Sequence, residues 1–334
     1  MWVLSIGLSL GGAWLADLIG WPLPWLIGPM LGMIFMRCVA GVLLPDVPGG
    51  RRFGQWIIAT AIGLHFTPAV VHEVIANWFV IFLAAALTLS AAAVGMVCLL
   101  RSGCDSATAF FASLPGGASE MVNMAIQHQA RVDQVAAAHS LRIVSVVLLV
   151  PPVFTWVLPT TMPVTVLPVL WPQLFFVLAL GAVTALVWRH FKQPNPWMLG
   201  PLFSAAFYVA LTGTEMSMPS ELSKIAQLFI GLSLGSYFDR RFVKSAVRFL
   251  SWVSLFIVLS MLCCAALAWI LAWCSQLSTG ALILGMTPGG ITELSITAEA
   301  LHIPVALVAA IQVLRLVFVM FLASPVFNYW IKDS

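Results

Sequence analysis

Two short segments combine chemically capable residue types with a spacing that repeats. Pro115-Gly116-Gly117-Ala118-Ser119-Glu120 and Pro288-Gly289-Gly290-Ile291-Thr292-Glu293 each set a helix-breaking Pro-Gly-Gly ahead of a hydroxyl and a carboxylate. An arginine, Arg142 or Arg315, follows 22 residues after each Glu. Freed backbone amides and a helix N-terminus can hold an anion, and a carboxylate beside them can carry a proton. On this reading Pro115, Gly116, Gly117, Ser119, Glu120 and Arg142, with Pro288, Gly289, Gly290, Thr292, Glu293 and Arg315, form a substrate-binding site. The competing reading is structural. Ser119 and Thr292 then cap the second halves of kinked helices, and Glu120–Arg142 and Glu293–Arg315 are ion pairs, within or across the copies.

The elements that must position these residues are set by the solvent. Of 334 residues, 61% are apolar and 8% are charged, against about 25% charged in a typical soluble domain. Fifteen basic and twelve acidic side chains cannot coat a chain of this size. That excludes a water-soluble enzyme, a nucleic-acid-binding domain and a disordered protein. Residues 77–100, 143–188 and 249–292 hold no charge at all, and a spanning helix needs only about 20 apolar residues. Non-helical backbone survives at membrane depth only where protein or a watery cavity satisfies it, so both Pro-Gly-Gly breaks need a purpose. So do the arginines, each costing about 2.5–3.5 kcal/mol at the bilayer centre.

The chain is a tandem duplication. Pro24-Trp25-Leu26-Ile27-Gly28-Pro29 returns as Pro196-Trp197-Met198-Leu199-Gly200-Pro201, and Gln55, Gly63 and Phe66 return as Gln227, Gly235 and Phe238, all displaced by 172. The Pro-Gly-Gly segments, the arginines and Pro152-Val153-Phe154 with Pro325-Val326-Phe327 are displaced by 173. Two membrane repeats are expected, residues 1–157 and 168–330.

Positive residues mark the cytoplasmic side of short loops. Arg37, Arg51 and Arg52, then Arg101, then Arg189 and Lys192, then Arg240, Arg241, Lys244 and Arg248 are the basic clusters. Residues 67–77 and 154–188 have no Lys or Arg, and Glu215 and Glu221 occupy the loop at 212–221. These signs predict an all-α polytopic protein with spans near 2–20, 24–44, 53–72, 77–100 and 132–154. Further spans follow near 169–188, 196–212, 222–239, 249–274 and 304–330. Residues 104–128 and 279–302 become re-entrant hairpins broken at Pro-Gly-Gly. Five crossings per half make the repeats inverted, with both termini cytoplasmic. The first apolar stretch lacks a basic leader and a cleavage site and reads as an uncleaved helix.

Lesser features read as structure. The six cysteines lack CxxC spacing and suit packing. His65, His72, His128, His190 and His302 have no metal-ligand spacing, so no metal or cofactor is expected. His139 pairs with Gln312 one turn before the arginines. Asp105 and Asp133 read as helix caps, and the Gly7/Gly11 and Gly231/Gly235 pairs suit close helix packing. Trp21, Trp78, Trp171, Trp188, Trp273 and Trp330 fall near span ends, where an aromatic belt belongs.

The two copies of Pro-Gly-Gly-x-Ser/Thr-Glu, each followed by Val-Ala and Leu-Arg at 135–142 and 308–315, together with the duplicated Pro-Trp-x-x-Gly-Pro, resemble the membrane AbrB family. The resemblance covers nearly the whole chain. Members are often labelled regulators of gene expression or ammonia monooxygenases, and the family shares only a name with the soluble DNA-binding AbrB proteins. Neither label has support in these residues: there is no soluble DNA-binding region and no histidine cluster for copper. The paired hairpins look like those of elevator-type secondary carriers. The expectation is a bacterial inner-membrane transporter of a small, anionic solute, coupled to H+ or Na+, assembled as a homodimer. Its partners are then the bilayer and the solute, not nucleic acid, and it is no enzyme. The alternative is a membrane-embedded regulatory or sensory protein that acts through a partner.

Overall fold

The computed structural model describes residues 2–157, 167–238, 247–275 and 277–330. The basic cluster at Arg240, Arg241 and Lys244 lies outside the described residues, as does the junction at 158–166. All regular structure among the described residues is helical.

The chain opens with α1 (Trp2–Leu18), α2 (Pro24–Ile34), which runs on through a π-helical turn at Phe35–Val39, and α3 (Gly50–Leu64). There the structure corrects the expected span at 53–72. The helix stops at Leu64, and α4 (Pro68–Ala76) leaves at an angle of 83°. The cause is Pro68, whose ring disfavours helical backbone at the preceding residue and suits the first position of a new helix. Next come α5 (Trp78–Thr88) and α6 (Ser90–Arg101), which together make one apolar span of 24 residues. The broken pair α7 (Ser106–Ser113) and α8 (Ala118–Gln127) precedes the long α9 (Val132–Val157).

The second half follows the same order: α10 (Trp171–His190), α11 (Pro196–Thr212), α12 (Ser220–Ser236) and α13 (Val247–Ser275), then the broken pair α14 (Thr279–Met286) and α15 (Ile291–Ala300), and α16 (Val305–Trp330). Among the described residues, five helices have the length and hydropathy to cross a membrane: the α5–α6 span, α9, α10, α13 and α16. The α3–α4 pair adds a bent sixth, and α1, α2 and α11 are shorter apolar helices. This is the signature of a multi-pass membrane protein. Trp78, Trp171 and Trp273 sit at helix ends with their rings more than half exposed.

The chain divides into two compact units, and each draws on both halves of the sequence. The first comprises residues 1–76, 150–242 and 295–306; the second comprises 77–149, 243–294 and 307–334.

In the first unit, small residues set the helix crossings. Gly12 on α1 and Gly28 on α2 approach so closely that a Cβ on either would meet the other's carbonyl. The same crossing recurs 172 residues later, where Gly200 on α11 lies against Thr184 and Ala185 on α10. Gly235 on α12 packs against Met30 and Met33 of α2, and its equivalent Gly63 on α3 packs against Leu202 and Ala205 of α11. Each half thus lends a glycine face to the other. Gly231 and Gly235 take the expected packing role, but Gly7 and Gly11 do not, since nothing lies within 4 Å of a Cβ built there. Gly12, one residue on, does that work because it is on the α2-facing side.

In the second unit, Gly95 of α6 meets Phe256 of α13 and Ser113 of α7, while Gly285 of α14 meets Ile311 of α16. These contacts hold both broken pairs against long helices.

Candidate functional site

The two broken pairs begin alike. Asp105 caps α7, its side chain accepting from the Thr108 amide at 2.9 Å. Ser278, 173 residues on, caps α14 by accepting from the Ala281 amide at 3.4 Å. Asp133, the other expected cap, lies in the first turn of α9. The exit of the first pair is tied back to its start. The Arg131 amide donates to Thr108 Oγ1 at 2.8 Å, and its exposed guanidinium lies 3.7 Å from Asp105.

Both first half-helices end for one reason. Leu114 and Thr287 precede prolines and adopt the same extended backbone, with ψ of 135°. Each break exposes carbonyls outside the helical ladder, one at the cap residue and one two residues on, and these take the arginines. Arg142 Nη1 donates to the Leu114 carbonyl at 2.7 Å, and Nη2 to the Gly116 carbonyl at 3.0 Å. Arg315 Nη1 donates to the Thr287 carbonyl at 2.8 Å, and Nη2 to the Gly289 carbonyl at 2.7 Å. The two sets superpose under the 173-residue displacement. Both arginines are buried, at 2% and 3% exposure. Their Nη groups are therefore bonded to the broken backbone. The Nε–H of each makes no hydrogen bond among the described residues.

A second polar residue holds each arginine. His139 Nδ1 is 3.0 Å from Arg142 Nη2, and its Nε2 is 3.0 Å from the Phe111 carbonyl. Arginine only donates and a carbonyl only accepts, so His139 is the neutral Nε2–H tautomer, accepting at Nδ1 and donating at Nε2. In the other half Gln312 does the same with an amide. Its Oε1 accepts from Arg315 Nη2 at 2.5 Å, and its Nε2 donates to the Leu284 and Thr287 carbonyls at 3.1 and 3.3 Å. Histidine and glutamine are thus interchangeable parts here. His139→Gln is expected to leave thermal stability within about 1 kcal/mol of wild type, whereas His139→Leu orphans the Phe111 carbonyl and loses about 1–3 kcal/mol. Unfolding midpoints of the purified variants in one detergent decide this. Equal losses in both would refute the tautomer assignment.

The long helices also tie the two breaks together. A Cβ built on Gly116 would lie 2.9 Å from Val319 Cγ1 on α16, and one built on Gly289 would lie 2.9 Å from Val146 Cγ1 on α9. Val146 is four residues beyond Arg142 and Val319 four beyond Arg315, on the same helix faces and about 6 Å along the axis. One turn of α9 therefore bonds the first break and packs on the second, while one turn of α16 does the reverse. Both breaks are held at one level inside the second unit.

All twelve residues singled out in the sequence belong to this unit. Pro115 and Pro288 are buried within the breaks. The acidic arms differ. Ser119 is exposed and Glu120 half-buried, whereas Thr292 and Glu293 are 5% and 6% exposed. The Glu293 carboxylate folds over Gly290, filling the space where a Cβ would stand. Ser119 is not the cap of α8: Gly117 holds that position, extended at φ −68° and ψ 138°, with no side-chain cap.

Comparison with known proteins agrees with the motifs. The AbrB family, described as "Transition state regulatory protein AbrB", matches residues 25–331. The chain belongs to the AbrB family. One relative, "Uncharacterized protein YhjN" of Bacillus subtilis (strain 168), is 26% identical over 98% of this chain and 92% of its own. Another, "Putative regulator AbrB" of Escherichia coli (strain K12), is 28% identical over 97% of this chain and 93% of its own. Both relatives match both halves of this AbrB chain, so the whole duplicated unit is what they share.

Sequence reasoning missed two features of the candidate site. The arginine partners are backbone carbonyls, which carry no signature in residue types. The other feature is an aromatic cluster beside the first break. His128 stacks on Phe111 with ring centroids 5.2 Å apart and meets Phe327 at 4.7 Å, its Nε2 being 3.5 Å from Ser324 Oγ. Leu284 and Leu301 stand at the equivalent positions to Phe111 and His128, so the displacement of 173 could not reveal it.

Proposed function

We propose that this AbrB protein is a secondary transporter of the bacterial inner membrane that carries a small anionic solute through a site formed by its two broken hairpins. The observation that carries the reading is the reciprocal grip of α9 and α16 on both breaks, within one compact unit. Broken helices brought together by repeats are a recognised way to build a transporter site. The half-helices α8 and α15 begin at the breaks, and their N-termini favour negative charge. Glu120 and Glu293 stand in those first turns, positioned to exchange a proton with the solute or to meet a coupling Na+.

The finer architecture belongs to the same proposal: ten spans in two inverted halves of five, residues 1–157 and 168–330, with both termini in the cytoplasm. Equivalent glycine crossings at a displacement of 172 and equivalent arginine clamps at 173 support the repeat. Elevator-type carriers keep the whole site in one body, and the twelve residues meet that requirement here. A homodimer is the assembly proposed.

The test is flux in proteoliposomes, using a panel of labelled carboxylates and a pH or Na+ gradient. Glu120→Gln and Glu293→Gln should each reduce flux at least tenfold with intact folding. Wild-type flux in both would overturn the assignment. The family description and the name of the Escherichia coli relative favour a second reading, a membrane-embedded regulator acting through a partner. That reading requires a gene-expression phenotype that survives both glutamate substitutions.

A further inference from the structure

A cavity of about 720 Å³ lies in the first unit, along the α10–α11 pair, with Val71 of α4 at its edge. Its walls are Leu180, Val187, Trp188, Phe203, Phe207 and Ala210. The two hydroxyls in its lining are satisfied by their own helices and by each other, Thr184 Oγ1 donating to Ser204 Oγ at 3.3 Å. Thr184 donates to the Leu180 and Gly181 carbonyls at 3.0 Å, and Ser204 to the Pro201 carbonyl at 3.1 Å. The groove therefore presents almost wholly hydrocarbon surface, the Trp188 indole N–H in its wall being buried and without a hydrogen bond among the described residues. It extends from Gly200 to Ala210, ten helical residues or about 15 Å. That is half of a hydrocarbon core of about 30 Å, the depth of one leaflet. One end is charged: Arg189 and His190 directly follow the lining residue Trp188, Lys192 stands in the next turn, and all three are exposed.

We infer that this groove holds an acyl chain of an anionic phospholipid, with its headgroup phosphate bound by Arg189 and Lys192. An apolar slot one leaflet deep, with two exposed cations following its wall residue Trp188, matches the two parts of such a lipid. The inference is independent of the transport reading, since it concerns the other compact unit.

The test is native mass spectrometry of the full chain titrated with phosphatidylglycerol or with phosphatidylcholine of identical acyl chains. A basic residue near an anionic headgroup contributes about fivefold, so the two should give a roughly 30-fold preference for phosphatidylglycerol. Arg189→Gln/Lys192→Gln should bring phosphatidylglycerol down to the level of phosphatidylcholine, and Ala206→Phe, which fills the groove, should reduce retention of both. Circular dichroism of the lipid-free variants checks that they are folded, and the charge variant alters only exposed side chains. Equal retention of the two lipids by wild type would overturn the inference, as would phosphatidylglycerol retention unchanged in the charge variant. A switch from dimer to monomer in Ala206→Phe would assign the groove to a second copy of the chain instead.

Discussion

Arg142→Met is expected to lose several kcal/mol of stability, and Arg315→Met less. Each arginine satisfies two carbonyls at the end of a broken helix, Leu114 and Gly116 in one case, Thr287 and Gly289 in the other. Methionine fills much of the volume but donates nothing. A buried carbonyl left unpaired costs about 1–3 kcal/mol, so losing the donor to both Leu114 and Gly116 costs about 2–6. Thr287, by contrast, keeps the Gln312 amide and the Gly289 N–H, and only the Gly289 carbonyl is orphaned. Both costs are partly offset because a buried charge is no longer desolvated. Lysine should not rescue either site, since a single ammonium cannot reproduce the planar fork that reaches two carbonyls at once. Because α9 and α16 each grip both breaks, the double substitution should cost less or more than the sum, not the sum itself. Unfolding of the purified proteins in one lipid nanodisc measures all of this. Wild-type stability in both single variants would show that the breaks stand without their clamps.

How far these features were legible follows from their physics. Equal displacements of 172 and 173 in the sequence carry through to equal contacts: Gly63 and Gly235, Asp105 and Ser278, Arg142 and Arg315. The arginines were legible as anomalies in apolar helices. Their partners were not, since a spacing of 22 residues from glutamate to arginine says nothing about which atoms meet after the chain turns back. Ser119 looked like a cap because hydroxyls cap helices. The extended backbone instead persists through Gly117, which takes the cap position and leaves Ser119 in the first turn. The division into compact units was invisible for another reason. Residues 1–157 and 168–330 are the repeats expected from the sequence, but packing mixes elements of both, as Gly63 of α3 against α11 and Val319 of α16 at Gly116 illustrate. Contacts between copies leave no periodicity within either copy.

On the transport proposal, Gly290→Ala should cut flux about a hundredfold while leaving the fold in place. The added methyl would occupy the position of the Glu293 carboxylate, which now folds over Gly290. The obstacle is the end of a side chain with three rotatable bonds, not backbone, so the carboxylate can swing aside. The break itself remains held by the Arg315 bonds to Thr287 and Gly289. Stability should therefore fall by no more than about 1 kcal/mol, the scale of an off-rotamer side chain. Activity should fall far more, because a displacement of about 1 Å at a positioned group can cost on the order of a hundredfold. Flux and unfolding midpoint measured on the same preparation separate the two effects. Glu293→Gln provides the comparison: it keeps the shape and removes the charge, so a transporter that needs the carboxylate in place should fail in both variants. Full flux in Gly290→Ala with failure in Glu293→Gln would mean that the charge matters and its position does not. That outcome would remove Gly290 from the site.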